Sequence, residues 1–227
     1  MTTVDTMAFR PRALRADERS RVLAQALDPH ARLDEQALER LRAVLWTKEA
    51  GLRPILLSAV TDAERHAVPA LLDTVGQVQR GLPEHLAPVL VLCGAVAAPA
   101  PRSGDVLFVP DPEAVDRPLL FAAADLFLTA TPDATTAVHE AMATALPVIG
   151  TTGGTLEKDI VTGGHEANGW LADDGDIDAL VAAIVQACFY RPERLRRGTA
   201  AAEHVRTVLK ENRRPADEPT RTPGAAA

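Results

Sequence analysis

From residue 54 onward the chain alternates short, almost uncharged apolar runs with longer amphipathic stretches, and this alternation restricts the possible folds more than any other feature. The runs are Ile55–Val60, Val89–Gly94, Asp105–Val109, Leu126–Ala130, Pro147–Gly150 and Gly169–Ala172. A strand without a polar face has to be covered on both sides, the condition met by a parallel sheet whose crossovers are helices. The expected fold is therefore α/β, a doubly wound parallel sheet of six strands. Right-handed crossovers place every loop that follows a strand on one edge of such a sheet, where ligands bind. Functional residues are accordingly sought in Ala59–Arg65, Gly94–Gly104, Thr131–Thr136 and Thr151–Leu156.

Residues 1–53 follow a different pattern. Arg15–Leu27 and Asp34–Trp46 space their apolar residues helically, with Leu38, Leu41 and Leu45 on one stripe. Asp34 is suited to cap the second helix, with Leu33 before it as half of a hydrophobic staple. After the last apolar run, Asp176–Tyr190 and Pro192–Lys210 read as two closing helices, and the Pro, Ala and charge content of Arg213–Ala227 is that of a frayed tail. The expected organisation is a helical segment over 1–53, one domain over 54–212 and a disordered tail over 213–227. At 227 residues and 47% hydrophobic content the chain can bury one sizeable core.

Charge and cysteine usage narrow the function classes. A net charge of −7 without any large basic cluster argues against nucleic acid or an anionic membrane as partner. Cys93 and Cys188 lie in apolar runs without metal-ligand spacing, so they read as buried reduced thiols, and no metal site is expected. His66, His85 and His165 are scattered, and His139 reads as a helix-surface residue. No apolar leader or membrane span is visible, which gives a soluble cytoplasmic protein as the expectation.

The segment 126–172 carries the chemistry. On a helix starting near Ala134, the residues Ala134, Ala137, Val138, Ala141, Met142 and Ala145 form one buried stripe, while Thr136, Glu140 and Thr144 line the opposite side. The first turn of a helix offers unpaired N–H groups and the positive end of a dipole, a seat for a diphosphate to which Thr135 and Thr136 add hydroxyls. Gly153-Gly154 follows a strand, where backbone can approach a sugar closely; Gly163-Gly164 reads as a turn. Trp170 falls inside the last strand and reads as core.

Four matches in order, His139-Glu140-Ala141-Met142-Ala143 with Pro147-Val148-Ile149, Thr152-Gly153-Gly154, Asn168-Gly169-Trp170-Leu171 and Gly175-Asp176-Ile177-Asp178-Ala179-Leu180, make the chain resemble the nucleotide-sugar half of retaining glycosyltransferases built from two Rossmann-like domains, the glycogen and starch synthases and their relatives (the GT-B type). The resemblance implies a Rossmann-like domain over about 54–207 that binds an NDP-glucose type donor as substrate, without a separate cofactor. It assigns Glu140 to the ribose and Thr135, Thr136, Gly153 and Gly154 to the nucleotide sugar.

It also marks departures. The family has a further glutamate eight residues before the one matched by Glu140, and Pro132 stands there, with Asp133 one place on. Where the family places an Arg and a Lys on the leaving diphosphate, this chain has Ala59 and Glu64, with Arg65 next in line. Asp133 and Arg65 are thus the available candidates for catalytic roles, which are otherwise unassigned. Three readings stay open: the donor half of a transferase completed by a partner chain, a catalytically impaired relative that regulates or scaffolds a true transferase, or a Rossmann-like domain for another small ligand. Association with a partner or with itself is expected, because a half-transferase exposes the face that meets its other half.

Overall fold

The structure, a computed structural model, describes residues 4–28, 35–47, 51–94, 105–109, 116–133 and 135–212. The expected Asp34 cap with its Leu33 staple, residues 95–104 of the second loop, and the tail Arg213–Ala227 lie outside them. Six strands form one parallel sheet: β1 (Ile55–Val60), β2 (Val89–Gly94), β3 (Val106–Val109), β4 (Leu126–Leu128), β5 (Val148–Thr151) and β6 (Gly169–Ala172), in the order β3-β2-β1-β4-β5-β6. This is the order of a doubly wound Rossmann-type sheet, which reverses direction between β1 and β4. The apolar runs predicted all six strands to within two residues at each end. A two-residue hairpin pairing Trp46–Thr47 with Gly51–Leu52 was not visible in the pattern.

Alternation along each strand divides the core in two. Ile55, Leu57, Val89, Val91 and Phe127 face one side, with α1 (Ala16–Leu27), α2 (Glu35–Leu45), α4 (Arg117–Ala123), α5 (Thr136–Ala143) and α7 (Arg191–Asn212) contributing to that layer. Leu56, Leu90, Leu126, Leu128 and Trp170 face the other, against α3 (Val68–Gly81) and α6 (Ile177–Phe189). Trp170 is buried as expected, its Nε1 donating to Gln186 Oε1 at 2.9 Å and its ring lying under the Arg197 guanidinium.

The amino-terminal helices share the first core rather than standing apart from it. Phe9 meets Phe121 edge-on, and Phe121 stacks on Phe127 of β4, both at 5.7 Å between centroids. Polar anchors gather at the strand starts. Asp125 exchanges hydrogen bonds with Ile55, its N–H to the Ile55 carbonyl and its Oδ2 from the Ile55 N–H, and pairs with Arg19 of α1 at 2.5 Å. Arg53, 3% exposed, bonds to Ala87 O, Val44 O and the Asp105 carboxylate.

The α5 helix departs from the amphipathic reading. Glu140 and Thr144, expected on a polar side, are both buried, because α5 is covered by α4 and α7 as well as by the sheet. Thr144 satisfies its hydroxyl on the carbonyls of Glu140 and Ala141. His139, expected at the surface, is half-buried with Nε2 3.0 Å from Asp159 Oδ2.

Helix α5 ends in a Schellman arrangement, Leu146 N–H to Ala141 O and Ala145 N–H to Met142 O, which places Ala145 at φ 63°. A Cβ in that region costs about 1–2 kcal/mol, part of which glycine returns through its freer unfolded chain. Ala145→Gly is expected to stabilise the fold by about 0.5–1 kcal/mol, read as a higher urea midpoint at unchanged slope; an unchanged or lower midpoint contradicts it.

Candidate functional site

Where the strand order reverses, the connections leaving β1 and β4 diverge and a crevice opens beyond the strand ends. A cavity of about 340 Å³ occupies it, lined by Ala59 and Val60 at the end of β1, by Thr61 and Glu64 just after it, by Cys93 and Gly94 at the end of β2, by Arg117 of α4 and by Thr135, Thr136 and Ala137 at the start of α5. Gly94 is required there: its φ is +142°, and a Cβ would fall 1.9 Å from the Val60 carbonyl oxygen.

Thr135 and Thr136, expected at the site, are in the cavity wall. Thr135 takes the N-cap position with extended backbone, but its hydroxyl does not cap the helix. Thr136 and Ala137, whose N–H groups have no partner within the helix, follow in the same wall. Glu140 lies one turn further and is 8% exposed. Its Oε2 accepts from Arg117 Nε at 2.8 Å and lies 2.7 Å from the second Arg117 nitrogen, Nη2. Burial pushes the Glu140 carboxyl above its ordinary range, and the charge and hydrogen bond of Arg117 pull it back. The carboxylate that the resemblance gives to the ribose is thus in an ion pair with a residue of α4.

Arg117 escaped the sequence reading, although Asp116-Arg117-Pro118 carries a helix-start signal. Asp116 caps α4 through the Leu119 N–H, and Pro118 occupies the first turn. Cys93 shows a buried, protonated thiol, as expected: desolvation pushes it up to about 11 against the lowering effect of Arg117.

Glu64 enters the cavity as a carboxylate fixed by three donors, the N–H and hydroxyl of Thr61 at 2.8 and 2.7 Å and the hydroxyl of Thr131 at 3.1 Å. With Thr61 it closes a capping box on the 3-10 turn Asp62–Ala67, a role legible in the spacing Thr61-x-x-Glu64. Arg65 pairs with Asp62 at 2.6 Å on the exposed side of that turn and does not line the cavity.

Asp133, Gly153 and Gly154 come together beside the cavity, not in its wall. Asp133 Oδ1 accepts from the N–H and hydroxyl of Thr155, and the Leu156 N–H reaches Pro132 O, so the loops after β4 and β5 are clamped. Gly154 fits because a Cβ would lie 2.5 Å from Pro132 O and 2.8 Å from Asp133 Oδ1. Gly153 has φ +99°, and its N–H donates to Glu157. Among the described residues no group of His, Cys, Asp and Glu is placed to hold a metal, and no helix is long and apolar enough to cross a membrane.

A family model described as glycosyl transferases group 1 matches residues 53–188. The chain belongs to this family. Three solved structures bear out the fold of a group 1 transferase, and specifically that of a GT-B carboxy-terminal half. Sucrose-phosphate synthase from Thermosynechococcus elongatus is 19% identical, with a TM-score of 0.60 over 91% of this chain and 47% of its own. The Anabaena protein Alr3699/HepE, solved with UDP and glucose, is 16% identical, with a TM-score of 0.61 over 92% of this chain and 53% of its own. The chain thus spans about half the length of these two proteins. It spans 97% of a third, the carboxy-terminal domain of a group 1 glycosyl transferase from Francisella tularensis, at 17% identity and a TM-score of 0.56 over 90% of this chain. No curated protein sequence matches the chain.

The Arg117–Glu140 pair gives a pH-dependent signature. A carboxyl whose folded pKa is raised contributes stability below its unfolded pKa and loses it as pH climbs through the folded value. Arg117→Met removes what pulls Glu140 back. The variant's deficit against the native chain is expected to be small near about pH 5 and to reach about 1–3 kcal/mol near about pH 8, measured by urea unfolding at both. Equal deficits at the two pH values would show that the pair is not coupled to Glu140 ionisation.

Proposed function

We propose that this group 1 domain is the donor-binding half of a retaining glycosyltransferase and that a nucleotide sugar of the NDP-glucose type places its diphosphate in the β1–β4 cavity. One observation carries the reading: the cavity of about 340 Å³ lies at the reversal of the sheet, with Thr135, Thr136 and Ala137 of the α5 entrance in its wall. Helix starts favour phosphate through their unpaired N–H groups and dipole, and the HepE protein of similar fold was solved with UDP and glucose. In two-domain transferases the reaction cleft lies between the halves. Sugar transfer then requires an acceptor-binding half as well as this one.

A second reading, a catalytically impaired relative with a regulatory or scaffolding role, is favoured by Glu64. Its carboxylate lines the cavity where departing diphosphate charge would need stabilising, and loss of one preorganised stabilising group costs roughly 100- to 1000-fold in rate. On this second reading the cavity is vestigial as a donor site, so the two readings differ in whether it still binds a nucleotide.

Calorimetry with UDP, ADP and their glucose conjugates separates them. The native chain is expected to bind a nucleoside diphosphate weakly, and Ala59→Arg with Glu64→Lys to tighten it by about tenfold or more, since two cations replace a repelling carboxylate. If neither protein binds any of these ligands at about millimolar concentration, the donor reading fails and the regulatory one replaces it.

A further inference from the structure

We propose that Arg117 is the cation that receives the ligand's diphosphate, and that Glu140 acts through it as a positioning residue rather than as a direct contact of the ribose. The inference rests on the donor reading above and adds the charge that holds the donor. Arg117 is the one Lys or Arg among the described residues lining the cavity. A diphosphate entering a crevice already occupied by the Glu64 carboxylate needs a counter-charge, and neither Ala59 nor Arg65 supplies it: Ala59 is apolar, and Arg65 is paired with Asp62 outside the cavity.

The guanidinium is built into place rather than left loose. Pro118 and the Asp116 cap fix the start of α4. One turn on, the buried Phe121 ring lies 5.1 Å beneath the guanidinium carbon, and Glu140 engages Nε and Nη2 with the single oxygen Oε2. A guanidinium carries five N–H donors, so this grip sets its plane and leaves donors for an anion. The Arg117 side chain is 31% exposed and the Glu140 side chain 10%, which puts the cation at the cavity wall and the carboxylate behind it. A buried acid held by an arginine at the wall of a ligand cavity orients that arginine; an acid reserved for ribose hydroxyls would face the cavity itself.

A double-mutant cycle distinguishes the two roles, because residues acting as one unit are non-additive. UDP and ADP binding is measured by calorimetry for the native chain, Arg117→Met, Glu140→Gln and the double variant, each checked for fold by circular dichroism. Arg117→Met is expected to weaken the tighter-binding diphosphate by about ten- to a hundredfold, and Glu140→Gln to weaken it in the native background but by less than about twofold in the Arg117→Met background. The salt dependence of affinity should flatten in Arg117→Met, an effect that a purely structural role would not produce. Arg117→Lys covers the case in which Arg117→Met does not fold: it keeps the charge without the planar fork and should lose affinity while retaining the native salt dependence. Unchanged affinity in Arg117→Met, or in Arg117→Lys where that variant stands in, overturns the inference while leaving the donor reading intact. An effect of Glu140→Gln that persists in full beside Arg117→Met overturns it in favour of direct ribose contact. Absence of diphosphate binding by the native chain sinks the donor reading and this inference together.

Discussion

The pairing of β1 with β4 is the constraint on which the rest of the molecule depends. Two residue pairs, Leu56 with Leu126 and Leu57 with Phe127, join the halves of the sheet, and the junction is completed by one side chain. Asp125 accepts the Ile55 N–H on Oδ2 and returns its own N–H to the Ile55 carbonyl. The same carboxylate holds Arg19 of α1 and lies 3.9 Å from Arg194 of α7, so the sheet junction, the amino-terminal segment and the last helix meet at one charge. Removing one member of such a partly buried pair leaves the others without their counter-charge. Fixing the strand starts so firmly lets the opposite ends diverge into a cavity without loosening the sheet.

Desolvation then sets the character of that cavity. The Cys93 thiol is pushed up to about 11 and the Glu140 carboxyl is also raised, both with burial as the main cause. Charges act over longer range where water is scarce, so one guanidinium carries more weight there than on the surface. The cavity wall carries Arg117 and the α5 entrance together with the Glu64 carboxylate. The clamp between Asp133 and Thr155 keeps the neighbouring loop in register, and Gly154 serves that clamp through its missing Cβ.

Much of the fold was legible in the residues because strands and helices announce themselves locally. Every strand of the parallel sheet was visible as an apolar run, since a sheet covered on both faces tolerates little charge. The boundary of α5 was read two residues early, and its polar side was misplaced for a different reason. A period of 3.6 separates faces only when one of them meets water, and α5 is covered by α4 and α7 as well as the sheet. His139 misled for the same reason: its partner Asp159 lies twenty residues on, beyond the reach of helical spacing.

By itself the sequence determined the doubly wound sheet, the edge carrying its functional loops, the Thr135–Thr136 helix entrance and the buried thiols, because each depends on periodicity or on signals a few residues long. Only the tertiary structure decided what those groups do to one another. It set Arg117 against Glu140 across 23 residues of chain, tied Glu64 to Thr131 across 67, and turned Gly153-Gly154 into a clamp beside the cavity instead of part of its wall. The physical reason is the reversal at β1 and β4: it brings the starts of α4 and α5 together above the sheet, and no local pattern encodes which carboxylate will then find which guanidinium.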